Sequence, residues 1–160
     1  MALRRDPDLQ AALAAIAPGQ PLREGLDRIL KAGMGALIVI GDGPDVLNIS
    51  SGAGHIGIRG MLSYCVAKAG LDHLTRSLGE ELAPKIRVNG LALGAVMTPA
   101  LQRTFDMDAG FREKLIEKTP LKKVGKATDI GLAALYLCSP AAEYVTGATL
   151  NIDGGLQDTN

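Results

Sequence analysis

The sequence predicts an α/β fold, layered three deep around a mixed sheet, on three observations. Short apolar runs of strand length alternate with longer stretches that carry apolar residues at helical spacing. Gly, Pro and Asp punctuate the joins between them. Hydrophobic residues make up 47% of the 160 positions, enough for one domain to bury roughly two thirds of its unfolded surface.

Each element follows from a local signal. Asp6 before Pro7 starts a first helix, which Pro18 and Gly19 end. A second, over about residues 21–31, puts Leu22, Leu26, Ile29 and Leu30 on one face and stops at Gly33. Residues 36–40 and 46–50 are strand-like and flank a Gly-Asp-Gly-Pro-Asp turn, which predicts a β-hairpin and hence an antiparallel pair. A long helix over residues 60–82 follows, with Leu62, Val66, Gly70, Leu74, Leu78 and Leu82 repeating every four residues as its expected packing face, and Pro84 closes it. Strands near 86–93 and 148–152, with helices near 111–118 and 129–138 between them, complete the layers. Residues 98–126 read as a mobile, charged connection.

Composition narrows the function. Seventeen basic and seventeen acidic residues balance, so no net field recommends nucleic acid or a membrane surface. With three tyrosines, two phenylalanines and no tryptophan, the core is aliphatic. No apolar stretch reaches the roughly 20 residues of a spanning helix and the N-terminus has no signal-peptide pattern, so the expectation is a soluble cytoplasmic protein. Cys65 and Cys138 read as separate buried thiols, and with only His55 and His73 no metal-ligand spacing occurs.

The chemistry concentrates between residues 48 and 68, in NISS at 48–51 and YCVAK at 64–68. Tyr64 and Lys68 are four apart, so a helix stacks them on one face, roughly opposite the start of the apolar row. A phenol ordinarily titrates at about 10, and a neighbouring ammonium favours its anion, which suits it to acid and base work nearer neutrality. Ser51, at the end of a strand, can hold a carbonyl or alcohol oxygen. Gly52-Ala-Gly54-His-Ile-Gly57 is a literal G-x-G-x-x-G between strand and helix. A dinucleotide fingerprint also needs an acid ending the next strand, and Asp72, at the nominal spacing, falls inside the helix instead. These glycines therefore serve a tight turn around Ser51. His55 and Arg59 read as solvated loop residues or as the lining of a substrate mouth, and Thr98 before Pro99 is also a fitting helix N-cap.

Together with IRVNGLALGAVMTP at 86–99, PLKKVGKATDI at 120–130 and VTGATLNIDGG at 145–155, these motifs resemble the short-chain dehydrogenase/reductase family over roughly residues 46–155. The resemblance implies an incomplete Rossmann-like fold and hydride exchange between NAD or NADP and a small carbonyl or alcohol. It implies Ser51, Tyr64 and Lys68 as catalytic residues, with Tyr64, Lys68, Gly94, Val96 and Thr98 toward the cofactor. Leu93 stands where the family usually has proline. It implies further a homo-oligomer formed through the 60–82 helix. The family's opening glycine-rich turn, adenine-contacting Asp and Asn-Ala-Gly turn do not occur in these 160 residues, so the expectation is severely reduced cofactor affinity.

Residues 18–48, PGQPLREGLDRILKAGMGALIVIGDGPDVLN, resemble the opening of the DNA-integrity scanning diadenylate cyclases, without that family's Asp-Gly-Ala and Arg-His-Arg motifs. The two resemblances imply a mosaic, with residues 1–48 and 49–160 as its parts and a join near Asn48 to Ser51. Besides a relic oxidoreductase, they leave a non-catalytic oligomerising module and a nucleotide-binding remnant as alternatives.

Overall fold

The computed structural model describes residues 45–156. In chain order these form β1 (Asp45–Ser51), α1 (Leu62–Glu81), β2 (Arg87–Leu93), α2 (Pro99–Met107), α3 (Ala109–Lys118), α4 (Ala127–Leu137) and β3 (Thr149–Ile152), with single 3-10 turns at Gly52–Gly54 and Pro140–Ala142. The α/β expectation holds, with the strands and the long helix where the sequence places them.

The sheet runs β1-β2-β3. Both pairs are parallel, with Ile49 opposite Leu91 and Leu91 opposite Leu150. The sheet of the described residues is therefore wholly parallel. The first two helices, the strand at 36–40 and the hairpin that would make the sheet mixed lie outside the described residues. β1 itself is one unbroken strand across residue 48, where the join was expected.

Strand alternation sends the two faces of the sheet to different helices. Leu47, Ile49, Leu91 and Leu93 meet α4, building a core with Leu137 and Ala142. Asn48, Ser50 and Gly90 meet α1 on the other face, where Asn48 Nδ2 donates to Thr75 Oγ1 at 2.9 Å and Ser50 Oγ to the Lys68 carbonyl at 3.3 Å. Helix, sheet and helix make the three layers.

The packing face of α1 departs from the expected one in its first half, while Leu74, Leu78 and Leu82 of the expected row are half-buried. Lys68, Leu71, Asp72, Thr75 and Gly79 are buried, whereas Leu62 and Val66 stand 78% and 63% exposed. Close approach explains the choice: a Cβ on Gly79 would come within 2.5 Å of the Gly147 backbone, a gap that no larger residue fits.

At the amino ends of the strands Arg87 fastens the layers together. Its guanidinium donates to the carbonyls of Leu137 (2.9 Å), Ala142 (2.7 Å) and Val145 (3.2 Å) and pairs with Asp45 at 2.5 Å. Five guanidinium donors suit one residue to several such acceptors. Asn89 closes the turn before β3, donating to Val145 O at 2.9 Å and accepting from Ala148 N at 3.1 Å.

The segment 98–126 is more ordered than the charged connection expected of it. Thr98 Oγ1 accepts from Leu101 N to cap α2, Pro99 takes the first turn, and Asp108 Oδ1 accepts from Phe111 N to cap α3. Phe105 and Phe111 pack ring to ring, 6.1 Å between centroids, and fold the two helices onto each other.

Candidate functional site

All the residues singled out for chemistry come to the carboxyl ends of the strands, where open parallel α/β sheets bind ligands. Ser51 ends β1 beside Leu93, which ends β2, and Gly94 follows directly. The chain reverses after β1, so α1 begins at that same end and brings Tyr64 and Lys68 within its first two turns.

Ser51 has extended backbone, φ −149°, and its Oγ accepts from Ala53 N at 3.3 Å, capping the 3-10 turn. Gly54 then passes so close to α1 that a Cβ would lie 3.0 Å from the Ala69 nitrogen. The glycine pattern thus makes a tight turn packed against a helix, as the sequence implied.

Lys68 is almost fully buried, and its Nζ donates to Ile49 O at 3.0 Å. That carbonyl's direction follows from the register. Gly90 and Gly94 of the β2 segment donate to β3 at 2.8 and 3.0 Å, so Leu91 between them turns its peptide groups toward β1. In a parallel pair Leu91 then bonds the peptides flanking Ile49, which leaves the Ile49 carbonyl on the outer side of β1. Lys68 reaches around to that side. An ammonium has three donors, so two stay available beyond this bond among the described residues.

The same ammonium stands 5.7 Å from the centroid of the Tyr64 ring, within cation–π range. The spacing of four has placed phenol and ammonium side by side, with the phenol on the exposed side. Burial holds the Lys68 proton affinity below the usual lysine range, and the Asp72 carboxylate opposes that fall.

Gly94 lies flush against the start of the last turn, since a Cβ would come within 2.6 Å of Asp153 Cα. Gly154 and Gly155 follow with φ of +69° and +86°, and Asp153 Oδ1 accepts from Gly155 N at 2.8 Å. Val96 pairs with Gly125 in an isolated parallel bridge, and Met97 N donates to Gly125 O at 2.8 Å. Thr98 is exposed beyond them, its hydroxyl engaged in capping α2. Gly94 thus follows the strand end that pairs with Ser51, and Val96 and Thr98 continue the same segment beyond it. Sequence reasoning missed the Ile49 carbonyl, which no residue type signals, and Asp72, whose signal was its place one turn beyond Lys68.

The described residues hold no cluster of His, Cys, Asp or Glu able to bind a metal ion, and none of their helices is long and apolar enough to cross a membrane. Cys65 and Cys138 are free thiols, half-buried rather than fully buried.

A family model described as Enoyl-(Acyl carrier protein) reductase matches residues 29–157. The chain belongs to the short-chain dehydrogenase/reductase family. An oxidoreductase of uncharacterised function from Mycobacterium tuberculosis is 43% identical over 118 residues, covering 74% of this chain and 44% of the relative. The solved structure of a 7α-hydroxysteroid dehydrogenase, complexed with NADH and 7-oxo glycochenodeoxycholic acid, superposes with a TM-score of 0.67 at 40% identity, over 74% of this chain and 46% of that one. An NADPH-bound short-chain oxidoreductase from Pseudomonas aeruginosa gives a TM-score of 0.65 at 32% identity, over 70% and 45%. The chain thus spans less than half the length of these relatives. The family match begins at residue 29, ahead of residue 46 where the sequence motifs begin.

Proposed function

We propose that this chain carries the catalytic half of an NAD(P)-dependent oxidoreductase that interconverts a small carbonyl compound and its alcohol. The single observation that carries the reading is the pairing of a buried Lys68 ammonium with the exposed Tyr64 phenol beside the strand end that bears Ser51.

The donor set fits a nicotinamide ribose. Among the described residues Lys68 has two donors left after its bond to Ile49 O, and the flush backbone at Gly94 leaves the end of β2 free of side-chain bulk. Lys68 and Tyr64 would hold the ribose, with Gly94, Val96 and Thr98 along the nicotinamide. When bound, that group supplies or accepts the hydride. In reduction Tyr64 gives its proton to the substrate oxygen and recovers one from solvent, and in oxidation it takes the alcohol proton. Lys68 favours the phenolate in both directions, and Ser51 holds the substrate oxygen. For Ser51 this requires exchanging its bond to Ala53 N, or adding to it, because a hydroxyl has a donor and two acceptor sites.

The exposed row of Leu62 and Val66 supports a second feature, self-association through α1, since unpaired apolar side chains on a helix face gain by mutual burial. The resemblance of residues 18–48 to diadenylate cyclases belongs to the proposal as a separate nucleotide-binding reading, and binding of ATP by the purified chain is what it requires.

The activity is tested by incubating the protein with NADPH or NADH and a panel of ketones and aldehydes. The expected result is cofactor oxidation that Tyr64→Phe abolishes while cofactor binding persists. Turnover undiminished by Tyr64→Phe overturns the assignment of the acid.

A further inference from the structure

One ionisable side chain beside Lys68 has no part in the chemistry above. Asp72 follows Lys68 by four residues, as Lys68 follows Tyr64, so phenol, ammonium and carboxylate succeed one another along the same side of α1 at intervals of about 6 Å of rise. Asp72 is 8% exposed. Neither of its oxygens has an aligned hydrogen-bond donor, although Oδ2 stands 3.1 Å from His55 Nε2. Gly54 supplies the space for that oxygen, because a Cβ there would meet Oδ2 at 2.6 Å.

A buried carboxylate without donors costs stability unless an opposite charge compensates it. Among the described residues the groups that face Lys68 are few: Tyr64 and Asp72 on its own helix and the Ile49 carbonyl from β1, with His55 reaching Asp72 from the loop. Of these, Asp72 alone is a carboxylate. Lys68 meanwhile loses proton affinity through burial, and Asp72 pulls it back.

We infer that Asp72 is a positioning residue for Lys68: buried one turn behind it, the carboxylate keeps the ammonium charged where it must act on Tyr64 and a cofactor ribose. This rests on the oxidoreductase reading for its purpose, not for its physics. The order along the helix matters. Asp72 is two turns from Tyr64 and one from Lys68, so its field supports the ammonium more than it opposes the phenolate. Replacing the carboxylate by a neutral group leaves Lys68 buried, among the described residues, with only the Ile49 carbonyl and the Tyr64 ring beside it, and burial without an opposite charge lowers a lysine's proton affinity further.

The test is the pH titration of the Lys68 13Cε resonance, assigned by its loss in Lys68→Arg, in the wild-type chain and in Asp72→Asn. The midpoint is expected to fall by about one pH unit or more in the variant. An unchanged midpoint in a variant with a native amide spectrum overturns the proposal. If Asp72→Asn does not fold, reciprocity supplies the same coupling from the other side: in Lys68→Met the Asp72 13Cγ midpoint rises, and an unchanged value is the contradicting result. Failure of the oxidoreductase reading is distinguishable, because it leaves Lys68 dependent on Asp72 while NADH and NADPH do not bind.

Discussion

The side of α1 that meets the sheet carries Lys68, Leu71, Asp72, Thr75 and Gly79, whereas the side that leaves it carries Leu62, Val66 and Gly70. The first half of the apolar repeat is thus on the outer surface while Leu74, Leu78 and Leu82 are half-buried, and the fully buried positions are mostly small and polar. Packing against β1 and β2 selects for close approach and matched hydrogen bonds: Gly79 on Gly147, Thr75 with Asn48, Lys68 with Ile49. The buried side also holds Lys68, with Tyr64 exposed one turn before it, and the outer side holds what a second copy would cover.

The sharpest contrast is one substitution made on each side. Gly79→Ala is expected to destabilise the fold by about 2 kcal/mol, since the new Cβ meets backbone and its helix propensity gain of about 1 kcal/mol is smaller than the overpacking cost. Gly70→Ala, with nothing within 4 Å, is expected to stabilise by up to about 1 kcal/mol. Urea unfolding of both variants checks the opposite signs.

Next in size is Thr75→Val, which keeps the shape but leaves the Asn48 amide without its acceptor. It is expected to cost about 1–2 kcal/mol by the same measurement, and a neutral result would mean that the amide finds another partner.

Lys68→Met probes the buried charge through pH. The folded value of Lys68 lies below its ordinary 10.5, so between the two the unfolded chain holds a proton that the folded chain has lost. Stability then rises with pH across that window in the wild type, and the carboxylate support from Asp72 narrows it. Lys68→Met should flatten that rise. Unfolding curves at several pH values from 7 to 10.5 with equal slopes for both proteins would contradict it.

The smallest effect on stability belongs to the outer side. Leu62→Ser with Val66→Ser should change it by no more than about 0.5 kcal/mol per residue while lowering self-association, read by sedimentation at several concentrations.

Much of this was legible in the sequence. The strand-length apolar runs near 86–93 and 148–152 located β2 and β3, and the spacing of four joined Tyr64 to Lys68. The exposure of the first turns of α1 was not legible, because an apolar row reads as a packing face whichever surface it meets. α2 was visible only as a Thr98 cap before Pro99, since the charged side chains around it mask the pattern. The Ile49 carbonyl and the Gly54 gap beside Asp72 depend on register and approach, which residue identities alone do not encode.

The central claim, that Lys68 and Tyr64 form a cofactor site at the strand ends, is tested most directly by titrating the purified protein with NADH and NADPH and following nicotinamide fluorescence. A Tyr64→Phe, Lys68→Ala double variant serves as control. The account predicts saturable binding that the double variant loses. Saturable binding retained by the double variant, or none by the wild type at millimolar cofactor, would contradict it.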